Sequence, residues 1–328
     1  MKRVAALLLT AVLALVLLAG CKAAPAATTA PATAEATVAA TTAAATTAAQ
    51  TPAAAQPVTV SDLLGNEVTL NQTPKRIVSL APSNTEIVYA LGLGDKLVGV
   101  DVMSDYPAEV SKVEKVGDFN GPNLERIAAL KPDLILAGNT LQKETIDQLK
   151  TLGMAVACTE GTAYADAFTS IEIIGKLTGT TDKAAEVITD MRATETAVLD
   201  AVAGVGSGKV VYYAMSYGDT GNWTAGPGTF PYEFIEMCGA KALTEGMTQS
   251  WIDYNLEDLI KKNPDIILLS SDMGDASTFE KTEPYNTLTA VKEGRVVVVD
   301  ADLCSRPGPR IVEGLKQFAE TITGSTIE

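Results

Sequence analysis

The chain has 328 residues, 47% of them hydrophobic and 20% charged, with a formal net charge of −15 and no histidine. At the usual ~150 residues per domain that is about two domains of chain, with enough apolar residues to build a core. The acidic balance disfavours nucleic acid and anionic lipid headgroups as partners, and the missing histidine removes Ser-His and Cys-His triads, histidine zinc sites and histidine-ligated haem.

Lys2 and Arg3 precede an apolar run, Val4 to Ala19. The run is shorter than the ~20 residues of a spanning helix and has the order of a secretory signal. It ends Leu18-Ala19-Gly20-Cys21, which resembles the bacterial lipobox. That resemblance implies a signal peptide over 1–20, cleavage before Cys21 and a lipid on its sulfur, hence attachment to the outer face of the cell membrane. From 21 to 56 the chain is almost wholly Ala, Thr and Pro, with Lys22 and Glu35 the only charges. No amphipathic period appears there, so the segment has no face to bury and is expected to be a disordered tether. Of the other cysteines, Cys158, Cys238 and Cys304, either all are buried thiols or one pair, such as Cys238–Cys304, forms a disulfide.

Beyond Pro57, short β-branched runs alternate with helical stretches. Strands are expected over Ile77–Ala81, Leu134–Ala137, Val210–Ala214, Ile266–Ser270 and Val296–Asp300, each a continuous apolar run suited to a buried parallel sheet. A helix over Ser83–Leu91 opens with a Ser83-x-x-Glu86 capping box. The alternation predicts an α/β fold of two doubly wound, Rossmann-like lobes with a ligand cleft between them. A long helix over 181–205, with Ala185, Val187, Ile188, Met191, Val198, Leu199 and Val202 apolar, is expected to join a lobe at 57–180 to one at 206–328. Gly204, Gly206 and Gly208 cluster at its end.

The halves echo each other. Asn123-Leu124-Glu125-Arg126 leads to Lys131-Pro132-Asp133-Leu134-Ile135-Leu136, and Asn255-Leu256-Glu257-Asp258 leads to Asn263-Pro264-Asp265-Ile266-Ile267-Leu268. Each reads as an Asn-capped helix, a Pro-Asp turn and a buried strand. Glu125 and Glu257 fall in the first turn of their helices, where a carboxylate suits the helix dipole with no further role. As a pair, one per lobe, they would also suit a two-fold symmetric partner bearing arginines.

In α/β lobes, ligands sit outside the carboxyl ends of strands. The candidates there are Ser83 and Asn84 after the first strand, Tyr106, Phe119, Trp251, Asp302 and Arg306. Tyr217 and Trp223 join them from the loop Ser216–Phe230, which carries Gly218, Gly221, Gly226 and Gly228. The aromatics could instead pack a lobe's edge, and Asp302 and Arg306 could simply pair with each other.

The stretches Arg76–Glu86, Ser104-Asp105-Tyr106-Pro107, Asn123–Asp133, Trp251–Glu257 and Arg306-Pro307-Gly308-Pro309-Arg310-Ile311 together resemble the class III substrate-binding proteins of iron-siderophore, haem and cobalamin importers, most of all the cobalamin-binding members. The resemblance implies two lobes on one rigid helix, modest closure, and docking of Glu125 and Glu257 on an ABC importer's permease dimer with its ATPase subunits. It also implies a corrinoid gripped by Tyr106, Phe119, Trp251, Asp302 and Arg306, in a monomer that is not an enzyme and carries no cofactor. Departures are Phe119, where those relatives have tryptophan, the longer loop Ser216–Phe230, the absence of a second cleft tryptophan in Gly138-Asn139-Thr140, and no disulfide partner for Cys238 in the final helix. A ferric siderophore is the alternative guest, then haem, with Tyr106 or a cysteine as iron ligand. Different in kind would be a cell-surface hydrolase using Asp105 and Asp302 as its carboxylate pair, or a tethered sensor.

Overall fold

A computed structural model of the protein describes residues 56–327 except 119, 120, 140 and 142. The expected signal peptide, Cys21, the tether up to residue 55 and Phe119 therefore lie outside the described residues.

The chain opens with an antiparallel pair, β1 (Val58–Ser61) and β2 (Glu67–Leu70). The amino-terminal half continues through β3 (Ile77–Ser79), α1 (Pro82–Ala90), β4 (Leu97–Val100), α2 (Leu124–Leu130), β5 (Leu134–Ala137), α3 (Lys143–Thr151), β6 (Val156–Cys158) and α4 (Asp166–Thr178). The long α5 (Thr181–Val202) follows. The carboxy-terminal half comprises β7 (Val210–Ala214), β8 (Trp223–Ala225), α6 (Phe230–Met237), β9 (Lys241–Ala242), β10 (Trp251–Asp253), α7 (Leu256–Lys262), β11 (Ile266–Ser270), α8 (Ala276–Lys281), α9 (Thr289–Lys292), β12 (Val296–Val299) and α10 (Ile311–Thr323).

Each half holds a four-stranded, all-parallel sheet, ordered β4-β3-β5-β6 in one and β9-β7-β11-β12 in the other. Counted within each half, both orders are 2-1-3-4, so the repeat seen in the sequence extends to topology. The strand order reverses between the first and third strands of each sheet, the place where α/β sheets open a crevice at their carboxyl ends.

Side-chain alternation on the strands sorts the interior into layers. Ile77, Leu134, Leu136, Val211, Tyr213, Ile266 and Leu268 point into one large apolar cluster that also holds Ile171, Met191, Val198, Phe234 and Phe318 from the helices. Ile135, Ala137 and Val78 face a smaller cluster under α2 and α3, and Tyr212, Ile267 and Leu269 face its counterpart in the other half. The two sheets thus share one interior, with α4, α5, α6 and α10 between them.

The capping box is not formed. Proline at the first helical position starts α1 one residue early, so Ala81 is the N-cap and makes no side-chain capping bond. Ser83 then falls inside the helix and its hydroxyl bonds Glu160 instead. α5 buries Met191, Val198 and Val202 of its expected apolar positions and packs Val187 and Ile188 against the core, while Ala185 and Leu199 are exposed. It ends at Val202, because Ala203 leaves the helical region and Gly204 takes a φ of +76°. Gly206 then passes so close to α6 that a Cβ there would meet the Cys238 carbonyl at 2.1 Å. Cys158, Cys238 and Cys304 are all free and buried, so no disulfide joins Cys238 to Cys304. Burial pushes the Cys158 thiol up to about 11, and that of Cys238 up to about 12.

Candidate functional site

Between the halves lies an open cavity of about 570 Å³. Its lining follows the carboxyl ends of the strands. Leu80 and Ala81 follow β3, Asp101 follows β4, Asn139 comes after β5 and Glu160 after β6. Across from them stand Met215 after β7, Ser270 and Asp272 at the end of β11, and Ala301 and Asp302 after β12. Phe230, Pro231, Tyr213 and Trp251 make the carboxy-half wall predominantly apolar and aromatic. A larger cavity of about 820 Å³ sits at the amino ends of β7, β11 and β12 against α10. Three of its polar side chains make contacts, the Asp265 carboxylate accepting from the Val210 N–H, Lys209 donating to the Ile322 carbonyl and Arg295 pairing with Glu293, while Arg295 Nε is buried without a partner. Position at the carboxyl ends of both sheets favours the smaller cavity.

The two tryptophans expected in loops are instead in strands. β8 and β10 pair antiparallel, with Trp251 opposite Ala225 and Trp223 opposite Asp253. Both are short, which hid them from a periodicity reading. Trp251 is 43% exposed and lines the cavity. Trp223 does not; its indole lies over Gly221, where a Cβ would come within 3.1 Å of Nε1.

Arg306 lines the cavity with its guanidinium already held by three carboxylates. Nη1 reaches Asp105 Oδ1 at 2.7 Å and Glu86 Oε1 at 3.3 Å, and Nη2 reaches Asp302 Oδ1 at 2.7 Å. Arg310 adds a two-pronged contact to the same Glu86, at 2.9 Å and 2.6 Å, and lies 3.8 Å over the Tyr106 ring. Glu86 and Asp105 belong to the amino half and both arginines to the carboxy half, so the cluster spans the two. The hydrogen bond from Arg306 holds the Asp105 carboxyl below its usual range. Burial pushes Asp302 up, against the pull of Arg306.

Other candidates fall elsewhere. Asn84 is 0% exposed, and its amide donates to the Ala137 carbonyl while accepting from Thr159, which takes it off the cavity wall. Ser83 is buried behind Glu160. Tyr217 packs edge-on against Phe279, 4.9 Å between centroids, and Tyr285, 5.6 Å, within the carboxy-half core. Tyr106 is 47% exposed beside the ion cluster, outside the lining. Glu125 and Glu257 are exposed at the starts of α2 and α7, with no ion pair among the described residues. Glu160, which the sequence reading missed, stands on the lining. Its signal was a carboxylate two residues past a buried run, but Val156–Cys158 is only three residues long. Among the described residues no cluster of carboxylates and thiols could hold a metal ion.

Two parallel α/β halves with a cleft at the strands' carboxyl ends define a two-lobed binding protein. Residues 77–303 match the model of the periplasmic binding protein family, to which the chain belongs. It is 38% identical to an ABC transporter substrate-binding lipoprotein of Bacillus subtilis, YvrC, over 83% of this chain and 87% of the relative. It is 32% identical to a cobalamin-binding protein of Halobacterium salinarum, over 83% of this chain and 75% of that one. Among solved structures, a possible iron-binding (periplasmic solute-binding) protein of Staphylococcus epidermidis superimposes with a TM-score of 0.66 at 32% identity, covering 76% of this chain and 99% of that one. The protein is thus a substrate-binding protein of the class III, ABC-importer type that acts outside the cytoplasm, and not an enzyme. No helix of the described residues is long and apolar enough to cross a membrane.

Proposed function

We propose that this protein captures a cobalamin-like corrinoid and hands it, chemically unchanged, to the permease of an ABC importer. The observation that carries this reading is the cavity's charge. Its lining holds four acidic residues, Asp101, Glu160, Asp272 and Asp302, and one cation, Arg306, which three carboxylates already hold. Anionic siderophores and the propionates of haem need free cations. A corrinoid is a flat macrocycle with apolar faces and an amide-bearing rim, and it fits an aromatic wall facing polar groups. The cobalamin-binding relative supports the same guest. Residues 57–180 and 206–328 are the two lobes on this reading and α5 is their connector. Glu125 and Glu257 dock the permease, while acylated Cys21 keeps the protein at the membrane.

Isothermal titration of the purified protein with cyanocobalamin, cobinamide, haem and a ferric hydroxamate tests the assignment. Tight binding of a corrinoid with none of haem is the expected result. A second reading, a ferric siderophore of neutral charge, draws on the iron-binding structural neighbour. Tight hydroxamate binding with no corrinoid binding would replace the first reading with it.

A further inference from the structure

The amino-half wall carries a group that the flat face of a macrocycle does not need. Glu160 accepts a hydrogen bond from Ser83 Oγ at Oε1, 2.5 Å, and from the Asn139 N–H at Oε2, 3.2 Å. These bonds fix the carboxylate on the lining of the cavity. The fit is close: a Cβ on Gly138 would come within 2.6 Å of Glu160 Oε2, so a side chain there would displace it. A carboxylate offers about four acceptor sites, and two are filled. Burial, with the charge of Asp101 behind it, pushes the Glu160 carboxyl up, as expected of a group short of donors. The other acids are differently placed. Asp101 also accepts two bonds, from Met103 N–H and Ser104 Oγ, but is only 2% exposed; Asp302 is held by Arg306, and Asp272 stands exposed on the carboxy half. Opposite, Ser270 lines the cavity at 1% exposure, with its hydroxyl against the Tyr213 phenol. Acceptor sites of Glu160 are therefore left for a guest to satisfy.

We propose, on the reading that the guest is a corrinoid, that Glu160 is a specificity-determining residue: it accepts hydrogen bonds from amide N–H groups on the guest's rim and rejects a guest whose rim carries carboxylates. An acid-rimmed guest would meet Asp101, Glu160, Asp272 and Asp302 with no free cation between them, since three carboxylates already hold Arg306. Discrimination of this kind comes from the repulsive contact as much as from the attractive one.

The test titrates the whole protein at neutral pH with cobinamide, whose rim carries amides, and with cobyrinic acid, the same macrocycle with free carboxylate arms. Cobinamide is expected to bind about a hundredfold tighter or more, the scale set by a buried polar site left unpaired or opposed. Glu160→Gln keeps the shape and one acceptor oxygen; it should narrow the ratio about tenfold, chiefly by improving the acid guest. Glu144→Gln, which removes an exposed charge on α3, should leave the ratio unchanged and so separates Glu160 from the general acidity of the surface. Binding of both guests by the wild-type protein within about threefold, or an unchanged ratio in Glu160→Gln, overturns the proposal and leaves the corrinoid reading intact. Binding of neither guest overturns both. Where the variant does not fold, a wild-type ratio within about threefold still overturns the proposal.

Discussion

Asn123 accepts a hydrogen bond from the Arg126 N–H at 2.9 Å, and Asn255 accepts one from Asp258 at 3.0 Å. The helices they cap both end in a left-handed residue, Lys131 at φ +46° and Asn263 at φ +48°. Both then turn through Pro-Asp into a buried strand. The two aspartates act alike. Asp133 Oδ2 accepts from the N–H groups of Lys75 and Arg76, and Asp265 Oδ2 from Val210, each clamping the third strand of its sheet to the start of the first. The copies differ at the left-handed residue. Asn263 brackets Thr289, accepting its N–H at 2.8 Å and donating to its hydroxyl at 2.7 Å. Lys131 makes no such side-chain bond among the described residues. They differ again where the strands emerge: each half presents two acids to the cleft, Asp101 and Glu160 from one and Asp272 and Asp302 from the other, but among the described residues the carboxy half alone adds aromatic rings, Tyr213, Phe230 and Trp251. The frame is repeated and the lining is not. An asymmetric guest is held between walls of different chemistry, while the outer ends of the repeat, with Glu125 and Glu257, remain alike.

The likeness of those outer ends is the most consequential feature to break. Replacing Glu125 and Glu257 together with alanine should lower uptake through the importer about a hundredfold while ligand affinity stays within about twofold, as expected of charge-assisted docking pairs. Uptake assays in cells paired with titration check it, and unchanged uptake would refute the docking role. The unlikeness of the walls is tested by Trp251→Ala, which should weaken corrinoid binding by about 2 kcal/mol, the scale of an aromatic anchor, read by titration. An effect below about 0.5 kcal/mol would remove Trp251 from the contact.

The turn residues sharpen the comparison at smaller scale. Lys131→Gly relieves a left-handed strain and should stabilise by about 0.5 kcal/mol, whereas Asn263→Ala should destabilise by about 1–2 kcal/mol. Urea unfolding measures both, and a loss below about 0.5 kcal/mol in Asn263→Ala would mean that the Asn263–Thr289 bonds contribute little. The smallest effect concerns pH. Asp105 is held below its ordinary range by Arg306, so its contribution is present at neutral pH, above the unfolded value of about 4, and is lost as pH falls through the lowered folded value. Asp105→Asn should therefore flatten the fall in melting temperature below about pH 4 by a degree or so, Asp105 being largely exposed. No change in that slope would mean the pairing with Arg306 does not stabilise the fold.

Much of this frame was legible in the residues. The five apolar runs became strands within two residues of their expected ends, and the Asn-to-Pro-Asp repeat gave the twin halves. The three-residue β6, β8 and β10 were not read, whereas β3, equally short, was read within the apolar run Ile77–Ala81. Missing them hid Glu160 and turned both tryptophans into loop residues. Polar side chains were read by local rules where distant partners decided. Ser83 and Glu86 have the spacing of a capping box, yet one serves Glu160, 77 residues away, and the other serves two arginines more than 200 residues away. The alternative that Asp302 and Arg306 pair with each other is seen at 2.7 Å.

The single apolar interior running beneath both sheets has a mechanical consequence. A hinge made of solid oil-filled packing bends by tilting, since any wide swing would draw Ile171, Val198 or Phe318 into water. Work to force such a swing would have to arrive from outside, through whatever machine takes hold of the two ends.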